Sequence, residues 1–354
     1  MEPKRPTFPN PAKTQFRQVL LSRVEQYFAE KKIAKHGDWR LWTKAVILLT
    51  AFVGEYIVFL ATDIWWLRIL NCLFLALTLA MIGFNIMHDA NHGAFSSKDW
   101  VNKLFGLTLN LMNGYDHWWK QKHNVFHHTY TNIVGADEDI AIPLMRVHQE
   151  QSRKGIHRYQ QWYWPFMYGM TYIAWIFIND FRRLFTKKVG PYSFSVPKRE
   201  WVRFTVSKSF SMTIWIVIPV LLLGWQTFLL SYLIVSIVCG FFIAIIFQMA
   251  HVVEKADQPT LFENKSLDEL AIHQVRTTAN FACDNTFLRW ICGGLNFQVE
   301  HHLLYGISHV HYPALRPIVQ QTCADFGVEY NQYPTFAKAL SSHVALLRYL
   351  GRND

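Results

Sequence analysis

Residues 69–92 read ILNCLFLALTLAMIGFNIMHDANH. From Ile69 to Met87 the stretch carries no charged residue, and at about 1.5 Å of rise per residue such a helix crosses most of a roughly 30 Å hydrocarbon core. It ends on His88 and His92, which a helix puts on one face. The apolar run 45–61 precedes it across a short segment holding Asp63, so the two are expected to form one helical hairpin through a bilayer. Runs 210–225 and 227–250 repeat the pattern around a tight turn at 224–226 and predict a second hairpin. Residues 104–112 are too few to cross. Residues 162–178 are crowded with Trp and Tyr, hold Pro165, and read as an aromatic interfacial helix. The fold expected is an all-α integral membrane protein, with four transmembrane helices in two hairpins and a cytoplasmic helical cap.

The composition agrees. Of 354 residues 51% are hydrophobic and only 17% charged, against roughly one quarter charged in soluble domains, which excludes a disordered or nucleic-acid tail protein. The net charge of +10 lies in Lys and Arg residues that flank apolar runs, a pattern that suits anionic lipid headgroups and acidic partners better than nucleic acid. The five cysteines form no CxxC pair, so neither a zinc ribbon nor a disulfide scaffold is expected. No secretory signal is read in residues 1–11. Ten Lys or Arg residues between Lys4 and Lys44 put the N-terminus in the cytoplasm by the positive-inside rule. In residues 11–35, Phe16, Val19, Leu20, Val24, Tyr27 and Phe28 recur at helical spacing, which reads as a basic amphipathic helix lying on the membrane. Two soluble helices are expected near 314–326 and 335–350. The chain thus divides into an amphipathic segment (1–40), a membrane and catalytic part (41–312) and C-terminal helices (313–354).

Sixteen histidines need an explanation. Three clusters stand out: His88 with His92, then His123 with His127 and His128, then Gln298 with His301 and His302. On helices their spacings bring the potential ligands onto common faces. The first two clusters follow two crossings and the third follows four, so all three share one side of the membrane; His251, at the end of the fourth span, joins them. Eight histidines and one glutamine exceed what one ion with an open position can use, and suit two. Imidazole fits iron, copper or zinc alike. A zinc protease is disfavoured because the first cluster lacks the HExxH glutamate, whereas two irons activating dioxygen would suit a greasy substrate.

Around the clusters, Asp89, Asn91, Asp137, Asp139 and Glu300 are candidates to hydrogen-bond the second nitrogens of ligating imidazoles. His273, His309 and His311 fall outside ligand spacing and are expected to make hydrogen bonds, and His117, His148 and His157 to be ordinary. Trp118 and Trp119 could line an acyl tunnel or belong to an aromatic belt. Lys120 and Lys122 could meet a phosphate or form a solvated pair. Glu55 is an ionisable group within a span, either functional or bonded within the bundle.

These clusters resemble the membrane fatty acid desaturase family, with its histidine boxes HxxxH, HxxxHH and QxxHH. The likeness runs from about Trp42 to Tyr312. The phrases HDANHGAFS, KHNVFHHTYTNI and GGLNFQVEHHLLYGISHVHYP look like the front-end group, of the delta-6 acyl-lipid or linoleoyl type. The resemblance implies a diiron centre held by His88, His92, His123, His127, His128, His251, His301 and His302. Gln298 stands where related delta-9 enzymes have histidine, and coordinates directly or through water. It further implies dioxygen as co-substrate, an acyl-lipid or acyl-CoA substrate, and a bacterial inner membrane with the site on its cytoplasmic face. No His-Pro-Gly-Gly haem motif is present, so the electrons are expected from a separate ferredoxin or, second, a free cytochrome b5. A membrane hydroxylase on the same scaffold is the nearest rival. A histidine-rich metal transporter would instead place its ligands at mid-bilayer on broken helices. The ligand count predicts about two irons per chain after anaerobic purification, checked by elemental analysis; stoichiometric zinc with full desaturase activity and no iron would contradict it.

Overall fold

The computed structural model describes residues 7–8, 15–259 and 269–353. Among these, four helices are long and apolar enough to cross a membrane: Trp39–Ala61, Trp65–Asn91, Lys198–Leu223 and Trp225–His251. They match the four expected runs, each extended at one or both ends. Their outward faces stay apolar, with Val46, Ile57, Phe74, Leu221 and Leu230 all well exposed, a surface that lipid rather than water accommodates. The chain is an integral membrane protein and mostly helical. Among the described residues its strands are two short pairs, Lys188–Val189 with Tyr192–Ser193 and Asn280–Phe281 with Gln332–Tyr333.

Several polar groups inside the spans bond to one another or to backbone, which a low-dielectric surround favours. In the first hairpin the Thr78 hydroxyl donates to Glu55 Oε1 (3.0 Å) and Asn71 Nδ2 to the Glu55 carbonyl (2.9 Å), which gives Glu55 the bonded role. At the hairpin's turn Arg68 donates to the carbonyls of Phe59 and Thr62. The second hairpin turns at Gly224, whose φ of +74° an L side chain rarely adopts. Lys208 of the third span pairs with the fully buried Asp180 at 2.8 Å.

The aromatic stretch near 162–178 is helical, from Gln160–Ala174 through a π turn at Trp175–Asn179 to Asp180–Thr186. It does not lie free at an interface as the sequence suggested, because it packs lengthwise on the fourth span. Glycines make the approach possible: a Cβ on Gly240 would stand 2.6 Å from the Gly169 carbonyl oxygen, and one on Gly169 would stand 2.8 Å from Ile237. Small residues serve in this way where membrane helices touch.

A second correction concerns the N-terminal helix, observed over Gln15–Lys31; residues 11–14 of the expected helix lie outside the described residues. Its stripe of Phe16, Leu20, Val24 and Phe28 is buried on Val275, Leu315, Val319 and Cys323. Protein covers the face that the sequence assigned to the membrane. The expected C-terminal helices are observed at Tyr312–Asp325 and Phe336–Arg352; the first shares one small core with the N-terminal helix and the third histidine cluster, and the second packs into the main core.

Gly240→Val should cost about 1–3 kcal/mol through overpacking at backbone contact and lower the melting temperature in detergent. Gly54→Ala, where an added Cβ meets nothing within 4 Å, should leave it unchanged or raise it slightly. Equal melting temperatures for the two variants would refute the close approach.

Candidate functional site

The second span does not stop at the apolar run. It passes through a π turn at Gly83–Met87 and continues as His88–Asn91, with His92 closing the helix. The second cluster starts on Asp116–Lys120 and runs through another π turn, Gln121–His127, where the His128 amide donates to the carbonyl of His123 (3.0 Å). Such wide turns gather at functional sites; here one stacks His123 on His127 with ring centroids 5.0 Å apart. Gln298–Leu304 carries the third cluster on a single short helix, and His251 ends the fourth span.

All of these histidines meet. Ring nitrogens of His88, His92, His123 and His301 lie within 4.8 Å of one another, and so do those of His127, His251 and His302. His128 joins His301 and His302 in a third such group, bridging the other two. Two neighbouring sets of imidazoles result, each able to hold a metal ion. Gln298 faces the same space, with Oε1 buried and without a hydrogen-bond partner.

The donor atoms show what the arrangement lacks. Both ring nitrogens of His92, His128 and His251, and Nε2 of His127, His301 and His302, are buried with no hydrogen-bond partner. An unsatisfied buried polar atom costs about 1–3 kcal/mol, and so many converging on one spot fit a coordinating cation. Burial pushes the imidazoles of His92, His123, His128, His301 and His302 well below their ordinary pKa. They are therefore neutral, the form that ligates metal. His127 differs: burial works against its charged form, but the Asp137 carboxylate outweighs it and raises the pKa.

Partners on the outer nitrogens fix ring orientation. His127 Nδ1 donates to Asp137 Oδ2 at 2.9 Å and His123 Nδ1 meets Asp139 Oδ2 at 3.3 Å, so the two aspartates act as the sequence allowed. His302 Nδ1 meets Thr131 Oγ1 at 3.2 Å, and His301 Nδ1 meets the Tyr312 hydroxyl at 3.3 Å. Asp89, Asn91 and Glu300 do not serve ligand imidazoles. Asp89 accepts from Ser308 (2.7 Å) and pairs with His309 (3.0 Å), Asn91 reaches the Gly106 carbonyl (3.4 Å), and Glu300 accepts from Tyr330 (2.6 Å) and Asn280 (2.7 Å). His273 and His311 bond to the carbonyls of Thr131 and His36. Along with His309, they make the expected hydrogen bonds.

Sequence reasoning passed over Asn132, although it lies in the quoted phrase. Held at φ +57°, it donates its own backbone amide to Asp137 Oδ2 at 3.0 Å and its Nδ2 to the carbonyls of His251 (2.8 Å), Thr277 (3.0 Å) and Asp257 (3.2 Å). It binds the second cluster to the end of the fourth span. Phe247, whose ring centroid is 4.7 Å from that of His251, and Tyr305 were also unmarked; neither shows helical ligand spacing.

A cavity of about 300 Å³ opens beside His88, His123 and Gln298. Much of its wall is apolar, including Gly83, Met112, Tyr172, Ile243 and Leu295, whereas Lys122, Glu138, Asp139 and Arg183 make a charged flank. Trp119 lines it and stacks on His123 at 4.4 Å between centroids; Trp118 is buried elsewhere, so neither belongs to an exposed belt. Lys122 pairs with Asp139 and Lys120 with Asp116 (3.6 Å), so neither lysine stands alone in solvent.

The description "Fatty acid desaturase" belongs to the family model that matches residues 63–334. An sn-1 linoleoyl-lipid 6-desaturase of Synechocystis is 36% identical over 95% of this chain and 96% of its own length. That of Arthrospira platensis is 34% identical over 96% and 93%. An acyl-lipid (8-3)-desaturase of Physcomitrium patens is 35% identical over 95% of this chain and 72% of its own length. A match that takes in all three histidine clusters, with relatives aligned almost end to end, makes this chain a member of the fatty acid desaturase family.

Proposed function

We propose that the chain introduces a cis double bond into a lipid-bound acyl chain with front-end, delta-6-like regioselectivity. The reaction takes two hydrogens from neighbouring methylenes and consumes one dioxygen, two electrons and two protons, giving two waters. The observation that carries this reading is the convergence of buried, unpartnered imidazole nitrogens of His92 and His301 on His88 and His123, the two histidines that line a largely apolar cavity. Imidazole suits iron, and the number of donors suits two ions; a bound iron pair would supply the oxidising power that an unactivated carbon demands. The residues assigned to hold it are His88, His92, His123, His127, His128, His251, His301 and His302, with Gln298 direct or through water.

The chain's own part is placement. Asp137, Asp139, Thr131 and Tyr312 fix the imidazoles of His127, His123, His302 and His301 with nitrogens facing inward. The cavity confines one stretch of acyl chain beside the metals, a proximity effect, and its apolar wall keeps the reacting carbons dry. The charged flank of Lys122, Glu138, Asp139 and Arg183 adjoins His123, which favours a polar lipid end close to the site and a long methyl tail beyond it. That is the order a front-end reaction requires.

We read residues 1–40 and 313–354 as parts of a cytoplasmic cap on the membrane and catalytic part, 41–312. The excess of Lys and Arg ahead of the first span supports this side, and a bacterial inner membrane fits it. An acidic ferredoxin is the assigned electron donor, with free cytochrome b5 second.

Expression in a host lacking such activity, with defined acyl substrates supplied, should give a new cis double bond near carbon 6, located by mass spectrometry; a hydroxylated product or none would refute the reading. His301→Ala should lose both iron and product. Gln298→His should keep iron, whereas Gln298→Glu, which adds a negative charge beside the metals, should keep iron but slow reduction. Full iron and activity in His301→Ala, or a Gln298→Glu variant indistinguishable from the parent, would remove the third cluster from the metal centre.

A further inference from the structure

The proposed reaction draws electrons from outside the chain, and the following inference rests on that reading. Eight of the nine residues assigned to the metals are buried, and His92 alone is partly exposed. Beside it stands Tyr305, 46% exposed, whose ring centroid lies 5.4 Å from that of His92 and 5.0 Å from that of His128. A single side chain therefore touches solvent on one side and two assigned ligands on the other. The far side of the site has no such opening, since His127 and His251 are both fully buried.

The surroundings of Tyr305 suit a protein partner. Gly93 and Gly306 are exposed beside the two ring contacts, leaving low backbone that a docking surface can approach closely. Val125, three residues before His128, is 43% exposed. Segment 35–37 borders the same place: the Ser308 amide donates to the Lys35 carbonyl (2.9 Å) and the Gly37 amide to the Ala94 carbonyl (3.1 Å). Across 25–40 and 93–103, Lys35 pairs with Glu25 and Arg40 with Asp38, and Lys31, Lys32, Lys98 and Lys103 outnumber the remaining acids Glu30 and Asp99. A small apolar centre within a basic rim is the complement of an acidic carrier, which such a field also steers into place.

We infer that an acidic one-electron carrier protein docks over Tyr305 and the 93–98 loop, and that its electrons reach the metal centre through the Tyr305–His92 contact. Each reduced carrier gives up one electron and leaves oxidised. Two carriers supply one turnover, and the two protons come from water.

Binding is read first, on metal-free protein in lipid nanodiscs, with a purified acidic 2Fe–2S ferredoxin as probe. Lys35→Glu combined with Lys98→Glu should weaken ferredoxin binding about tenfold at low salt, with the difference shrinking as salt is added. A photo-crosslinking residue at position 97 should capture ferredoxin, and one at position 321 should not. In stopped flow with the metal-loaded protein at saturating ferredoxin, Tyr305→Leu should slow ferredoxin oxidation. Equal affinity in the parent and the double variant, or capture from position 321 alone, overturns the assignment. Chemically reduced, metal-loaded parent given air and acyl lipid should form product in one turnover. Failure there counts against the desaturase reading, whereas the docking surface is judged separately by affinity and cross-linking.

Discussion

A buried imidazole nitrogen must find a proton, a donor or a metal, and this molecule withholds the first two. Burial keeps most of the clustered rings neutral, and the inner nitrogens of His92, His128, His301 and His302 have no hydrogen-bond partner. The surrounding architecture serves that one condition. Four helices bring the clusters together, a small core of the N-terminal helix and Tyr312–Asp325 packs against the third cluster's helix, and aspartate, threonine and tyrosine groups occupy outer nitrogens of four of the rings. Holding neutral imidazoles in a dry space is unfavourable without a cation, so stability and metal binding are linked.

Precision at the site comes from segments that the membrane part alone does not fix. The spans settle depth, while orientation depends on loops between them, tied by side-chain contacts. Lys208 with Asp180 anchors the third span to the helix on the cavity's far wall. Gly169 and Gly240 let that helix touch the fourth span backbone to backbone. The cavity wall therefore moves only with the bundle, and the acyl chain meets a surface of settled shape.

Much of this was legible in the residues. Apolar runs of span length announced the hairpins, because charge is costly in lipid over that distance. The even number of crossings before each cluster showed that the histidines could meet, a topological fact independent of detailed packing. The aspartates at 137 and 139 were legible as partners from their nearness in sequence to the second cluster. Other features were not. The N-terminal stripe of Phe16, Leu20, Val24 and Phe28 has the pattern of a membrane-bound face and of a core face alike, and only its long-range partners Leu315 and Val319 decide between them. Asp89 and Glu300 sit inside the motifs but turn to Ser308 and Tyr330, since on a helix a neighbour in sequence points elsewhere in space. The π turns carry no signature in residue type, and Asn132 gains its importance from carbonyls more than a hundred positions away.

Asn132 also sets an order of assembly. Its amide gathers carbonyls at sequence separations of 119, 125 and 145 residues. The second cluster therefore cannot reach its final shape until the chain as far as Thr277 has been made. Synthesis proceeds from the N-terminus at about 5–20 residues per second, so His88 to His128 wait many seconds, already beside the membrane, with their donors uncovered. A nascent chain in that state offers open imidazoles to any metal ion on that side of the membrane, and closure by Asn132 is what turns loose capture into a defined site.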